Sequence, residues 1–431
     1  MKVTITPQPL GGSIQIPSSK SMGHRDLICA ALASGESYVE NISSSQDIEA
    51  TCHILQALGA TIKTIQLHRL NRTAYRIQGG LRKWNQPVVA DCGESGSTLR
   101  FFIPIGLLTG NIVTFTGRGR LADRPLDTYF NLFRQKGIDF KIDAAGKNLP
   151  LTVQGTLQPG MYALPGNVSS QFFTGLLLAL PLLAGDSVLT STTPLESASY
   201  IDMTLTCMDN HGVHVQSDGK GKFHIPGNQN YQSGRYIVEG DYSQAAFWLA
   251  AGVLSKHKII CTGLRPRSCQ GDMAIVPILK AMGGHFSNVG SMLTAHPSVL
   301  SGRTIDVRDC PDLTPVLAAA AACSKGTTHI IHAARVRLKE CDRLHAMAVE
   351  LTKLGADIQE EPDGLVIHGV AALHGGIVSS WNDHRIAMAL AIVSQRCQGT
   401  VTIEEAESVR KSYPDFWKDF AKAGGVYKQE G

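Results

Sequence analysis

The chain has 431 residues, 43% of them hydrophobic and 18% charged, with a formal net charge of +4. That length and apolar share allow two or three domains with sizeable cores, and the mild, dispersed charge argues against a nucleic-acid binder. The longest apolar runs, 176–184 and 316–323, are far shorter than the roughly 20 residues of a membrane span. The N-terminus lacks a signal-peptide apolar region, so a soluble, cytoplasmic protein is expected. Ten cysteines include no C-x-x-C pair and sit in apolar patterns, which predicts buried free thiols in place of disulfides or zinc.

Six apolar stretches follow in chain order, each opened by polar residues suited to an anion. Ser18, Ser19, Lys20, Ser21, His24 and Arg25 precede Leu27 and Ile28. Glu94, Ser95, Gly96, Ser97, Thr98 and Arg100 lead into Phe101, and Ser169, Ser170 and Gln171 lead into a leucine-rich run. Asp241 to Gln244 precede Ala245, Pro311 to Thr314 precede an alanine-rich run, and Asn382, Asp383, His384 and Arg385 precede Ile386. With Ser21, Ser97, Ser170, Ser243, Asp312 and Asp383 as markers, the steps are 76, 73, 73, 69 and 71 residues. Six amphipathic stretches end at Gly59, Gly137, Gly212, Gly283, Gly355 and Gly424, spaced 78, 75, 71, 72 and 69. A Gly just past a helix end supplies a left-handed turn without a Cβ penalty. Each repeat therefore carries one apolar and one amphipathic helix, with β-like runs such as 3–5, 113–115, 236–238 and 401–403 between them.

Six repeats divide naturally into two groups of three, with a seam near Glu239, Gly240 and Asp241 and a cleft expected between the halves. The strands at 3–5 and 14–17 could pair with either group. Helix N-termini favour phosphate and carboxylate, and Lys20, Arg25, Arg100 and Arg385 reinforce them. Two further cationic segments are Arg118 to Pro125, with Arg124 at a predicted helix start, and Arg337 to Arg343, where Lys339 and Arg343 share a face beside Glu340. Asp312 suits an N-cap and equally, as a carboxylate among cations, a general base. His384 suits capping or packing as well as catalysis, and His24 reads as helix surface or a supporting residue. The fourth start, Ser243 and Gln244, reads as architecture without chemistry.

Seven ordered motifs then resemble the EPSP synthase family: Ser18-Ser19-Lys20-Ser21 with Arg25, Gly93 with Ser95-Gly96-Ser97-Thr98 and Arg100, Asp123-Arg124-Pro125, Ser169-Ser170-Gln171-Phe172, Lys339-Glu340 with Asp342-Arg343, Asn382-Asp383-His384-Arg385, and Lys411 with Pro414-Asp415-Phe416. The resemblance implies an α/β fold of two domains, each of three βαβαββ units, with residues 1–19 plus 240–431 as one domain and 20–239 as the other. It also implies the reaction: the enolpyruvyl group of phosphoenolpyruvate passes to the 5-hydroxyl of shikimate 3-phosphate by addition and elimination, on the route to chorismate. By the same resemblance Lys20, Ser21, Arg25, Ser169, Ser170, Gln171, Ser197, Asp312 and Lys339 hold shikimate 3-phosphate. Lys20, Gly96, Arg124, Gln171, Arg343, Arg385 and Lys411 hold phosphoenolpyruvate. Asp312 is the implied base, Glu340 with Lys20 carries the proton at the methylene, and Tyr200 packs near the ring. No metal, cofactor, nucleic acid or membrane is implied, and a monomer is expected.

Two positions depart from the pattern. Glu94 stands where the family often has Asn, and Arg335 where some members have Asn. Gly96 is the position the family links to glyphosate sensitivity, so this chain is expected to be sensitive. The related UDP-N-acetylglucosamine enolpyruvyl transferases differ in having a Lys-Asn-Ala-Ala start and a Cys in the loop corresponding to 111–124, which here has none. A non-catalytic anion-binding repeat protein would have little use for Asp312 and Glu340.

Overall fold

The structure is a computed structural model that describes residues 1–67, 72–81, 86–143 and 146–431. Among them run twelve α-helices: α1 (Lys20–Leu32), α2 (Gln46–Ala57), α3 (Gly96–Gly106), α4 (Asp127–Lys136), α5 (Ser170–Ala179), α6 (Ala198–Asn210), α7 (Tyr242–Leu254), α8 (Ile275–Ala281), α9 (Thr314–Ala322), α10 (Arg343–Lys353), α11 (His384–Val393) and α12 (Phe416–Lys422). The odd-numbered helices are the apolar ones. Every residue of α7, α9 and α11 is buried, as a helix that is hydrophobic all round requires. The even-numbered helices are the amphipathic ones with glycine stops, and Gly137 closes α4 at φ 65° in the left-handed region, where a Cβ would be strained.

Each repeat builds one four-stranded sheet, six in all among the described residues. In the second repeat, strand Val88–Asp91 pairs parallel to Val113–Thr116 across α3. After α4, strands Asp139–Lys141 and Leu151–Gln154 return antiparallel, Leu151–Gln154 bordering Val113–Thr116. This is the βαβαββ order, with a helix making the crossover that a parallel pair needs.

Three repeats take a strand from elsewhere in the chain. Arg235–Ile237 lies parallel to Glu36–Glu40 and so completes the first sheet. Gly12–Gln15 lies parallel to Ile259–Thr262 in the fourth, and Lys2–Thr6 inserts between Val401–Glu404 and Val426–Glu430 in the sixth. Both N-terminal strands thus join the second group of repeats. The chain forms two compact units: a first of Ser18–Val238, and a second of Met1–Pro17 with Glu239–Gly431.

Candidate active site

In the first unit, the starts of α1, α3 and α5 carry linked polar groups. Ser19 Oγ caps α1, Ser95 Oγ caps α3 and Ser169 Oγ caps α5, each accepting a backbone N–H. Lys20 Nζ pairs with Asp47 Oδ2 at 2.6 Å, both side chains being largely buried. Arg25 is held on three sides: Nε donates to Thr204 Oγ1 at 2.9 Å, Nη1 to the Ser21 carbonyl at 2.6 Å and Nη2 to the Tyr200 carbonyl at 2.9 Å. Its guanidinium also stands 5.2 Å from the centre of the Phe101 ring. Arg100 donates to Gln171 Oε1 at 2.7 Å and to the Pro125 carbonyl at 3.0 Å, while Gln171 Nε2 donates to Ser97 Oγ at 2.9 Å. A Cβ placed on Gly96 would clash with Arg124 Nη1, so the guanidinium occupies the space over the start of α3. Ser197, buried at the start of α6, has φ 54°, a conformation that costs a non-glycine roughly 1–2 kcal/mol. Such strain concentrates at functional positions.

In the second unit, Arg343 is the hub. Its side chain is 1% exposed. Nε donates to Asp383 Oδ2 at 2.8 Å, Nη1 to Asp312 Oδ1 at 2.8 Å and Nη2 to Glu340 Oε2 at 2.7 Å. Arg385 Nη2 reaches Asp312 Oδ2 at 2.9 Å, and Lys339 Nζ stands 3.5 Å from Oδ1. Burial would push the Asp312 carboxyl up, but Arg385, then Lys339 and Arg343, hold it well below the usual carboxylate range. Burial lowers the Lys339 ammonium, against the pull of Asp312. Lys411 Nζ donates to the Asn382 carbonyl at 2.7 Å. That carbonyl is presented by two consecutive left-handed residues, Trp381 and Asn382, at φ 54° and 51°.

Lys20, Ser21, Arg25, Gly96, Arg124, Ser169, Ser170, Gln171 and Ser197 all lie in the first unit, and Asp312, Lys339, Glu340, Arg343, Arg385 and Lys411 in the second. Several local expectations need correction. Asp312 is no N-cap: it sits in a 3-10 turn, Pro311–Leu313, and α9 begins after it without a side-chain cap. Its carboxylate engages the cations Arg343, Arg385 and Lys339. Arg124 closes the turn Gly119–Asp123, and α4 starts only at Asp127. Lys339 ends the turn Ala334–Leu338 while Arg343 opens α10, so the two meet on Asp312 from separate elements. His24 is not helix surface: its ring is buried, bonds Thr51 Oγ1 at 2.8 Å and is pushed well below its usual value by burial, then by Lys20 and Arg25. Glu94 lies against Gly119, and Arg335 donates to the Arg308 carbonyl.

The fourth helix start holds a buried polar pair. Ser243 Oγ donates to Asp272 Oδ2 in a short bond, and burial, reinforced by the charge of Asp312, raises Asp272 to about 7. Asp272 and Asp47 were missed from sequence because neither stands in a motif; each is recruited by a partner from a different element, Ser243 at the start of α7 and Lys20 at the start of α1. A raised carboxyl keeps its proton in the folded chain up to about 7 but releases it near 3.8 when unfolded. Its contribution to stability is therefore full below 3.8 and lost as pH rises to 7. Asp272→Asn should remove that part of the decline when the thermal midpoint is followed over the same pH range.

Solved structures with this architecture define the class. An EPSP synthase from Acinetobacter baumannii superposes with a TM-score of 0.82 at 25% identity, covering 99% of this chain and 100% of that one. The enolpyruvyl transferase NikO from Streptomyces tendae gives a TM-score of 0.80 at 17% identity, covering 99% and 98%. The fold is that of the enolpyruvyl transferases. Residues 5–420 match the EPSP synthase (3-phosphoshikimate 1-carboxyvinyltransferase) family. Relatives named 3-phosphoshikimate 1-carboxyvinyltransferase from Clostridium acetobutylicum and Clostridioides difficile are 50% and 44% identical, each alignment covering 98% of this chain and 97% of the relative. This chain belongs to the EPSP synthase family. Its activity is the family's 3-phosphoshikimate 1-carboxyvinyl transfer, a step of the shikimate route to the aromatic amino acids. No helix among the described residues is long and apolar enough to cross a membrane.

Proposed function

We propose that Asp312 removes the proton from the 5-hydroxyl of shikimate 3-phosphate while Glu340, with Lys20, delivers a proton to the methylene carbon of phosphoenolpyruvate. The single observation that carries this reading is the placement of Asp312, an ionised carboxylate accepting from Arg343 and Arg385 beside Lys339. Lys20, Ser21, Arg25, Ser169, Ser170, Gln171, Ser197 and Lys339 hold shikimate 3-phosphate alongside Asp312. Lys20, Gly96, Arg124, Gln171, Arg343, Arg385 and Lys411 hold phosphoenolpyruvate. In the free protein Asp312 is a weak base, because three cations stabilise its charge. Substrate phosphate and carboxylate groups arriving on those cations share them, so Asp312 rises toward the range in which it accepts a proton. The same cations then stabilise the departing phosphate.

The enzyme acts as a cytoplasmic monomer on this reading, consistent with ten free cysteines of which eight are buried. Phosphate release from phosphoenolpyruvate should require shikimate 3-phosphate; release with UDP-N-acetylglucosamine in its place would overturn the assignment. Gly96→Ala supplies a second check. Its methyl would press on Arg124, so the inhibition constant for glyphosate should rise by at least about tenfold, which is 1.4 kcal/mol. A native constant no lower than that of the variant would count against glyphosate binding over Gly96.

A further inference from the structure

Glu350 lies on α10 beyond Arg343, about two helical turns along the same face, and its side chain is 1% exposed. A glutamate is rarely so buried unless it is paired. Its two oxygens accept from Lys353 Nζ at 2.9 and 2.8 Å, from the Ser379 backbone N–H at 3.0 Å and from the Trp381 indole Nε1 at 2.7 Å. Lys353 neutralises the charge from the surface, its own side chain being 47% exposed. The other two donors belong to the segment that joins strand Gly376–Ser379 to α11, so the carboxylate fastens that segment to α10. His345, on the same helix, stands edge-on to the Trp381 ring at 5.4 Å.

The backbone of that segment is what the site uses. A left-handed conformation is an outlier for a bulky residue, yet Trp381 and Asn382 adopt it in succession. Such strain persists only where the surroundings over-determine it. Glu350 holds Trp381, and Glu405 Oε2 accepts the Asn382 N–H at 3.1 Å and Ser379 Oγ at 3.3 Å. The next peptide unit is fixed as well, because the Asp383 N–H donates to the Ser380 carbonyl at 2.9 Å. A trans peptide is planar, so its N–H and C=O point opposite ways, and the Asn382 carbonyl is thereby aimed at Lys411 Nζ, 2.7 Å away. Glu405 also opens the 3-10 turn Ala406–Lys411 that carries this lysine.

We propose that Glu350 is a positioning residue for phosphoenolpyruvate binding: through Trp381 it holds the left-handed turn whose Asn382 carbonyl seats the Lys411 ammonium. Lys411 holds phosphoenolpyruvate on the function proposed above, and the role of Glu350 rests on that assignment. Glu350→Gln keeps the volume but leaves one accepting oxygen where there were two, and its NH2 must then face Lys353 or a donor of the turn. The turn relaxes, the carbonyl swings and Lys411 loses its seat. Shikimate 3-phosphate is assigned to other groups, so its binding should change little.

Steady-state kinetics of phosphate release by the whole chain test this. Glu350→Gln, checked for folding by circular dichroism, should raise KM for phosphoenolpyruvate at least about tenfold, the scale of one lost hydrogen bond to a charged group, with KM for shikimate 3-phosphate within about twofold of native. Trp381→Phe, which deletes the indole N–H, should shift the same constant in the same direction and decides the matter if Glu350→Gln does not fold. In a Lys411→Ala background, Glu350→Gln should add less than about twofold, because the group it positions is gone. An unchanged KM for phosphoenolpyruvate in either folded variant, equal rises for both substrates, or an undiminished rise in the Lys411→Ala background would each overturn the role of Glu350 while leaving Lys411 in place. Lys411→Ala with a native KM for phosphoenolpyruvate would instead overturn the assignment of Lys411, and Glu350 with it.

Discussion

Asp312→Asn should slow phosphate release from shikimate 3-phosphate and phosphoenolpyruvate by roughly 10²- to 10⁴-fold, the usual contribution of a positioned base. Asparagine keeps the volume and one carbonyl oxygen but neither accepts the hydroxyl proton nor neutralises Arg343, Arg385 and Lys339. The sign of the effect on binding separates chemistry from architecture. Relieved of an internal anion, the three cations should bind phosphoenolpyruvate at least as well, so kcat falls while KM for phosphoenolpyruvate holds or drops. A variant that instead raised KM and kept kcat would make Asp312 a binding residue and move the base elsewhere.

The largest stability effect is expected at Arg343. Its three nitrogens each serve a different carboxylate, Asp383, Asp312 and Glu340, and the Asp383 side chain is fully buried. Arg343→Met leaves those charges without their shared partner, which costs about 3–5 kcal/mol when a buried pair is broken from one side. The denaturant midpoint should drop accordingly, and KM for phosphoenolpyruvate should rise. Arg343→Lys should recover little, because an ammonium is a point charge and cannot reproduce a planar fork aimed in three directions. The exposed pair Lys418 and Asp415 provides the contrast, and Lys418→Ala should leave the midpoint unchanged. If Arg343→Met were as stable as the native chain, the hub would be a loose cluster of surface-like ion pairs.

Much of the architecture was legible from residues alone because it rests on short-range rules repeated six times. Runs such as 316–322 can only be buried helix, and they are. Gly137 and its counterparts mark where amphipathic helices must turn, and polar caps at Ser19, Ser95, Ser169, Asp241 and Asp383 mark where apolar ones begin. The fifth start broke the rule, and that breach was invisible in sequence: Asp312 looks like a cap, but a 3-10 turn moves it off the helix end and onto Arg343 and Arg385. Likewise nothing local says that Lys2–Thr6 belongs beside Val426–Glu430. The strand sits inside the sixth sheet, paired on both sides, and pairing at such separation is decided by which sheet buries the strand's apolar face.

The sequence by itself therefore determined the repeat, the helix polarity, the anion-ready starts and, through its motifs, the family. Tertiary structure decided which groups face one another. Lys20 took Asp47, Ser243 took Asp272, Arg343 gathered three carboxylates, and Asp26 and Cys29 met Cys207 and His211. The physical reason is the range of the forces involved. Helix caps and glycine turns act within a few residues and so leave a readable pattern. Charge pairing and side-chain hydrogen bonding act through space, between residues as far apart as Cys29 and Cys207, and exist only once the cores have placed the helices.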